Sequence, residues 1–193
     1  MQRQLISFLR NRDKLPETRT GYLAEGTSGV FERDTAFTPK NERIGPNGRI
    51  IIQAGMPPIF ANATLTHELA HAADGQLTDQ HFDTRDLTDP RDSSRFMPKK
   101  GDQFNDAWQK LRLGRNNENR RAEFAAKLDP KWTAAKSDYR STSNELAGWG
   151  AGSTVGAPGY GEAPPHINST MATELAIMME LADRMRAAKA KRK

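Results

Sequence analysis

The chain has 193 residues, no cysteine, and 29 Lys and Arg against 24 Asp and Glu, for a net charge of +5. That length fits one domain with its own core. The missing cysteines exclude disulfides, thiolate nucleophiles and cysteine-based zinc sites, and no apolar run is long enough to span a bilayer.

Residues 2–12 read as a short amphipathic helix ending before Pro16. The basic N-terminus lacks the apolar stretch and cleavage site of a secretory signal peptide, so export would use a route that needs none. Short strands are expected near 21–24 and 29–37, then a turn at Gly45-Pro46-Asn47-Gly48. Arg49 to Ala54 is the best strand, a β-branched run that Pro57 and Pro58 stop. A helix follows over about 62–74, with Asn62 or Thr64 as cap and Gly75 as stop.

Residues 76–101 are polar and rich in aspartate, and are expected to be a long mobile loop. Helices are expected at 102–113, 117–128 and 141–148, with a flexible glycine-rich stretch at 148–161. The last helix covers about 169–188. Its stripe of Met171, Leu175, Met178, Ala182 and Met185 reads as core. The whole chain, 1–193, reads as a single domain: a strand-containing part with the central helix over 1–75, the loop, and a helical part over 102–193.

The chemistry concentrates at His67-Glu68-Leu69-Ala70-His71. Two histidines four apart on a helix project from one face, so both imidazoles reach one ion at about 2.0–2.1 Å. Glu68 flanks the ion without ligating it and is placed to take a proton from an attacking water. Leu69 faces the core. Asp74, seven residues after His67, returns to the metal face and is a candidate hydrogen-bond partner for a ligand histidine.

This segment resembles the active-site helix of the HExxH zincin metallopeptidases, zinc hydrolases that cut peptide bonds. The resemblance implies an α+β fold: a small N-terminal β-sheet, the active-site helix and a mainly helical C-terminal half. It also implies that a strand before the helix rims the cleft and pairs with an extended substrate, and Arg49 to Ala54 stands in the matching place. The metzincin branch is excluded, because it needs glycine and histidine where this chain has Asp74 and Leu77.

Two residues compete as third ligand. Glu145, preceded by Asn144 on a short expected helix, resembles the gluzincin arrangement, although Trp149 stands where that branch has an aspartate. Asp74 or Asp138 must then give the support that aspartate supplies. His81 is the rival. It resembles the third ligand of SprT-like proteases that act on proteins crosslinked to DNA, but Asp79, Asp83 and Asp86 around it repel phosphate. Glu145 is preferred. Zincins often stabilise the oxyanion with tyrosine or histidine, and His166 ranks before Tyr139 and Tyr160 as that catalytic group.

The size and the two motif elements resemble small bacterial effector and toxin metallopeptidases delivered into other cells. The implied partners are a protein or peptide substrate and a host target or cognate immunity protein, with the basic charge leaving nucleic acid second. A non-enzymatic metal-binding module is the remaining alternative. Glu68 argues against it, since a dead zincin often loses that residue.

Overall fold

The computed structural model describes residues 1–32, 44–79, 143–161 and 164–191. The expected helices at 102–113 and 117–128, most of the 76–101 loop, and His81, Asp138 and Tyr139 lie outside them.

Helix α1 (Gln2–Arg10) buries Leu5, Phe8 and Leu9, the i, i+3, i+4 pattern of a one-sided helix. It ends two residues earlier than expected, just before Asp13, whose φ of 53° lies in the left-handed region. Arg12 then folds back. Its guanidinium lies 3.7 Å from the centre of the Phe8 ring and bonds Asp183 near the far end of the chain.

Strands β1 (Glu17–Gly21), β2 (Gly29–Glu32) and β3 (Arg49–Gln53) form one mixed sheet in the order β1-β3-β2. β1 runs parallel to β3, with Glu17 opposite Arg49; β2 runs antiparallel, with Glu32 opposite Arg49. β1 starts earlier than expected and leaves Tyr22 91% exposed. β3 is central because its β-branched residues fit a buried pleated position: Ile50, Ile51 and Ile52 are all core. Both its edges are therefore taken, and Arg49 to Ala54 cannot pair with a substrate strand. The position nearest the site passes to β2, whose outer edge pairs with no strand among the described residues. Arg49 is buried, and its guanidinium pairs with Glu32 across the β2–β3 ladder at 2.6 and 2.9 Å.

Helix α2 (Pro58–Asp79) overruns its expected limits at both ends. Pro58 begins it, because proline's fixed φ suits the first helical position and its missing N–H costs nothing there. The Pro57 carbonyl accepts the Ala61 N–H at 2.9 Å, which leaves Asn62 and Thr64 inside the helix. Gly75 does not stop it, since continuing the helix buries Leu77 in the core. Residues 76–79, expected in the loop, are therefore helical.

Helix α3 (Ser143–Ser153) takes in glycines expected to be flexible, and α4 (Pro165–Ala190) is longer than expected at both ends. Met171, Leu175, Met178 and Ala182 are buried on α4, as the apolar stripe implies; the Met185 side chain is outside the described set. α2 packs on β2, β3 and α3, while α1 and α4 close the other side of the core. The architecture is thus α+β, an N-terminal sheet followed by packed helices. Among the described residues no helix is long and apolar enough to cross a membrane.

The glycines of α3 let it pack closely. A Cβ on Gly150 would meet the Ala172 backbone nitrogen at 2.7 Å and the Asn168 carbonyl at 2.9 Å. Backbone atoms cannot rotate away, so Gly150→Ala is expected to cost stability toward the upper end of the about 1–3 kcal/mol of overpacking. That exceeds the about 1 kcal/mol alanine gains in helix propensity. A urea midpoint equal to or above wild type would contradict the packing described.

Candidate metal centre

His67 and His71 lie one turn apart on the face of α2 that meets α3. Their Nε2 atoms are 2.9 Å apart. Glu145, in the first turn of α3, reaches both: Oε2 is 3.3 Å from His67 Nε2 and Oε1 is 3.2 Å from His71 Nε2. His67 and Glu145 are buried and His71 is partly buried. Two ring nitrogens and a carboxylate from helices far apart in sequence thus converge on one point. It is the only such group among the described residues able to hold a metal ion.

The electrostatics are those of a tightly coupled cluster. Burial works against the charge of Glu145, but hydrogen bonds to His67 and His71 and their charges hold its carboxyl well below the usual range. Burial dominates at His67 and lowers its pKa. At His71 burial also works downward, but the Glu145 hydrogen bond and the charges of Glu68, Glu145 and Asp74 outweigh it and raise the value. An ion that takes both Nε2 lone pairs competes with protons for the same atoms, so binding is coupled to pH. Asp74 is only 2% exposed. Its charge favours the imidazolium of His71.

Trp149 follows Glu145 by four residues and packs edge-on against His67, ring centres 4.6 Å apart at 73°. Tyr160 continues the row at 5.7 Å from Trp149. His67 Nδ1 is buried and has no hydrogen-bond partner among the described residues. Its ring is therefore held by packing, where a ligand histidine usually donates that N–H to a carboxylate or carbonyl.

Glu68 lies beside the cluster, 6% exposed. Its side chain runs past Gly29 of β2, where a Cβ would come within 3.0 Å of Oε1. The Phe31 backbone N–H donates to its carboxylate. Burial is the main influence on Glu68; with a smaller contribution from the Glu145 charge, it raises the pKa to about 7 against the opposing His71 charge and Phe31 hydrogen bond.

Tyr160 shares a hydrogen bond with Thr64 and feels the charges of Glu68 and Glu145; burial and those charges push its pKa up. His166, ranked first on sequence for the oxyanion, is exposed in the first turn of α4. Gly29, Phe31 and Gly148 were not singled out from sequence as site residues, and no local pattern marks them; Trp149 was marked only as the position where the gluzincin branch has an aspartate. A groove between α1 and α4, lined among others by Phe8, Ser153 and Asp183, shares Tyr160 with the row that packs on His67, but His67, Glu68, His71 and Glu145 do not line it. Comparison with family models, curated proteins and solved structures returns no match.

A ligand that binds only the folded state stabilises it by about 2.7 kcal/mol at a hundred times its dissociation constant. Added zinc is therefore expected to raise the melting temperature of the wild type. The rise should vanish in His67→Ala, His71→Ala and Glu145→Ala. An equal rise in Glu145→Ala would remove Glu145 from the ligand set.

Proposed function

We propose that this chain is a zinc-dependent peptidase that hydrolyses peptide bonds in a protein substrate. His67, His71 and Glu145 are its metal ligands and Glu68 its general base. The observation that carries the reading is the convergence of those three donors beside a buried carboxylate that is not one of them.

The donor set suits zinc. Two imidazoles and one carboxylate leave a fourth position open, the pattern of catalytic rather than structural sites. Tetrahedral arms of 2.0–2.1 Å separate ligand atoms by about 3.4 Å. The two nitrogen–oxygen separations of 3.3 and 3.2 Å come close to that, and the nitrogen pair at 2.9 Å is the short side. When bound, zinc supplies Lewis-acid polarisation of the scissile carbonyl and lowers the pKa of the attacking water.

The remaining work falls to the chain. Glu68 takes the proton of the water as its oxygen bonds to the carbonyl carbon. It then delivers that proton to the amide nitrogen as the carbon–nitrogen bond breaks. A buried carboxylate suits both roles, because its affinity for a proton is raised toward the working range. The Phe31 N–H and the bare backbone of Gly29 orient it. Tyr160 is the hydroxyl we assign to the developing oxyanion, since its ring stands against Trp149, which itself packs on His67. Glu68 takes the Phe31 N–H, so the rest of the outer edge of β2, which pairs with no strand among the described residues, is the backbone we assign to an extended polypeptide. The biological role we assign is that of a bacterial effector or toxin, and its support is the sequence resemblance alone.

Glu68→Gln is expected to keep one zinc per chain and lose at least about a hundredfold in turnover of an unfolded protein substrate. Tyr160→Phe should lower kcat by about 10²-fold, the scale of one lost oxyanion donor, with little change in KM. His166→Ala serves as the comparison and should fall less than Tyr160→Phe. Full turnover in Glu68→Gln would end the peptidase assignment even if zinc binds.

A further inference from the structure

Gly148 lies one turn beyond Glu145 on α3, on the same face. An ideal Cβ there would lie 2.6 Å from His67 Nε2, 2.7 Å from Cε1 and 2.8 Å from Cδ2. Ordinary carbon contacts are about 3.5–4.0 Å. The imidazole therefore lies flat on the bare backbone of α3, with its metal-facing nitrogen nearest the glycine.

Neither partner has room to retreat. His67 is only 5% exposed, and the rings of Trp149 and His71 each lie 4.6 Å from it. With Nδ1 lacking a hydrogen-bond partner among the described residues, no such tether sets the ring's orientation from behind. Helix α3 is also pinned. Gly150 abuts the α4 backbone, and a Cβ on Gly152 would meet the Ala63 carbonyl at 2.9 Å and the Tyr160 ring at 2.4 Å.

From this geometry we propose that Gly148 is a positioning residue for the metal centre: the absence of its side chain sets the orientation of the His67 ring and so the affinity and coordination of the bound ion. The inference rests on the reading of His67, His71 and Glu145 as ligands. Glu145 and Gly148 then act as a pair on one helical face, the first supplying a donor and the second the space the neighbouring donor occupies. Gly148→Ala turns the ring and moves Nε2 off the common point while leaving all three ligands in the chain.

Three measurements test this. Zinc affinity, read by competition with a chromogenic chelator, is expected to fall about 10–100-fold in Gly148→Ala, the scale of lost outer support for a ligand histidine. In Gly45→Ala, the same chemical change at a turn position where a Cβ meets nothing within 4 Å, affinity should stay close to wild type. The Co2+-substituted protein should show the intense visible absorption of a four-coordinate site in wild type and in Gly45→Ala, weakened in Gly148→Ala.

The third measurement uses the metal-free protein and stays informative if Gly148→Ala folds poorly. Gly148→Ala should lower the melting temperature in the wild-type background. In a His67→Ala background it should leave it unchanged or raise it, because the imidazole is gone and alanine is the better helix former. Wild-type zinc affinity and Co2+ absorption in Gly148→Ala, or an undiminished melting penalty in the His67→Ala background, would overturn the proposal while leaving the metal centre in place. A wild-type protein that binds neither zinc nor Co2+ would overturn the metal centre itself, whatever the metal-free comparison shows.

Discussion

The close approach of α3 to α2 is the constraint on which the site depends. It brings a carboxylate from the third helix within 3.3 Å of two imidazoles on the second. Helices normally pack with their axes about 8–10 Å apart, the distance depending on the side chains between them. Here glycines occupy the contact: Gly148 under His67, and Gly152 against Ala63 and Tyr160. Each glycine in a helix interior is unfavourable by about 1 kcal/mol relative to alanine. Three in one short helix mean that propensity alone does not hold α3 together; its packing against α2 and α4 must.

The same approach fixes the electrostatic character of the centre. A carboxylate among apolar side chains would ordinarily take up a proton. Glu145 does the reverse, because two imidazoles within hydrogen-bond reach stabilise its charged form. Glu68 has no such pair of donors. It has one backbone N–H and a buried seat, and its pKa rises to about 7. Two buried glutamates beside the same pair of histidines are thus driven in opposite directions by their neighbours.

The rest of the fold holds these helices at that distance. The sheet places β2 against α2, so that Gly29 and Phe31 cradle Glu68. On the far side α1 is fastened to α4 by Arg12 and Asp183 and closes the core over Leu175, Met178 and Ala182. Leu69 and Ala70 bury themselves in that core, so the segment that carries His67 and His71 is anchored from behind.

Much of this was legible in the residues themselves wherever the relevant interaction is local. The two histidines and Glu68 share a face or flank each other because a helix repeats every 3.6 residues, and that period is written in the spacing of positions 67, 68 and 71. The isoleucines of β3 and the apolar side of α4 follow from the same local periodicities, while the α+β order was what the resemblance implied. Helix ends were less legible. Gly75 is a stop signal in isolation, but tertiary burial of Leu77 carries the helix past it.

What only the tertiary structure decided is which distant groups meet. Glu145 was one of two candidates in sequence, and the packing of α3 is what puts its oxygens beside both rings. Arg49 to Ala54 was expected to rim the cleft, but strand pairing placed it in the middle of the sheet. Gly148 looked like part of a flexible stretch. Its meaning comes from an imidazole 81 positions earlier in the chain resting on its backbone. The division has one physical cause: periodicity is a property of the chain's own geometry, whereas contacts between separate elements depend on the packing of the whole core.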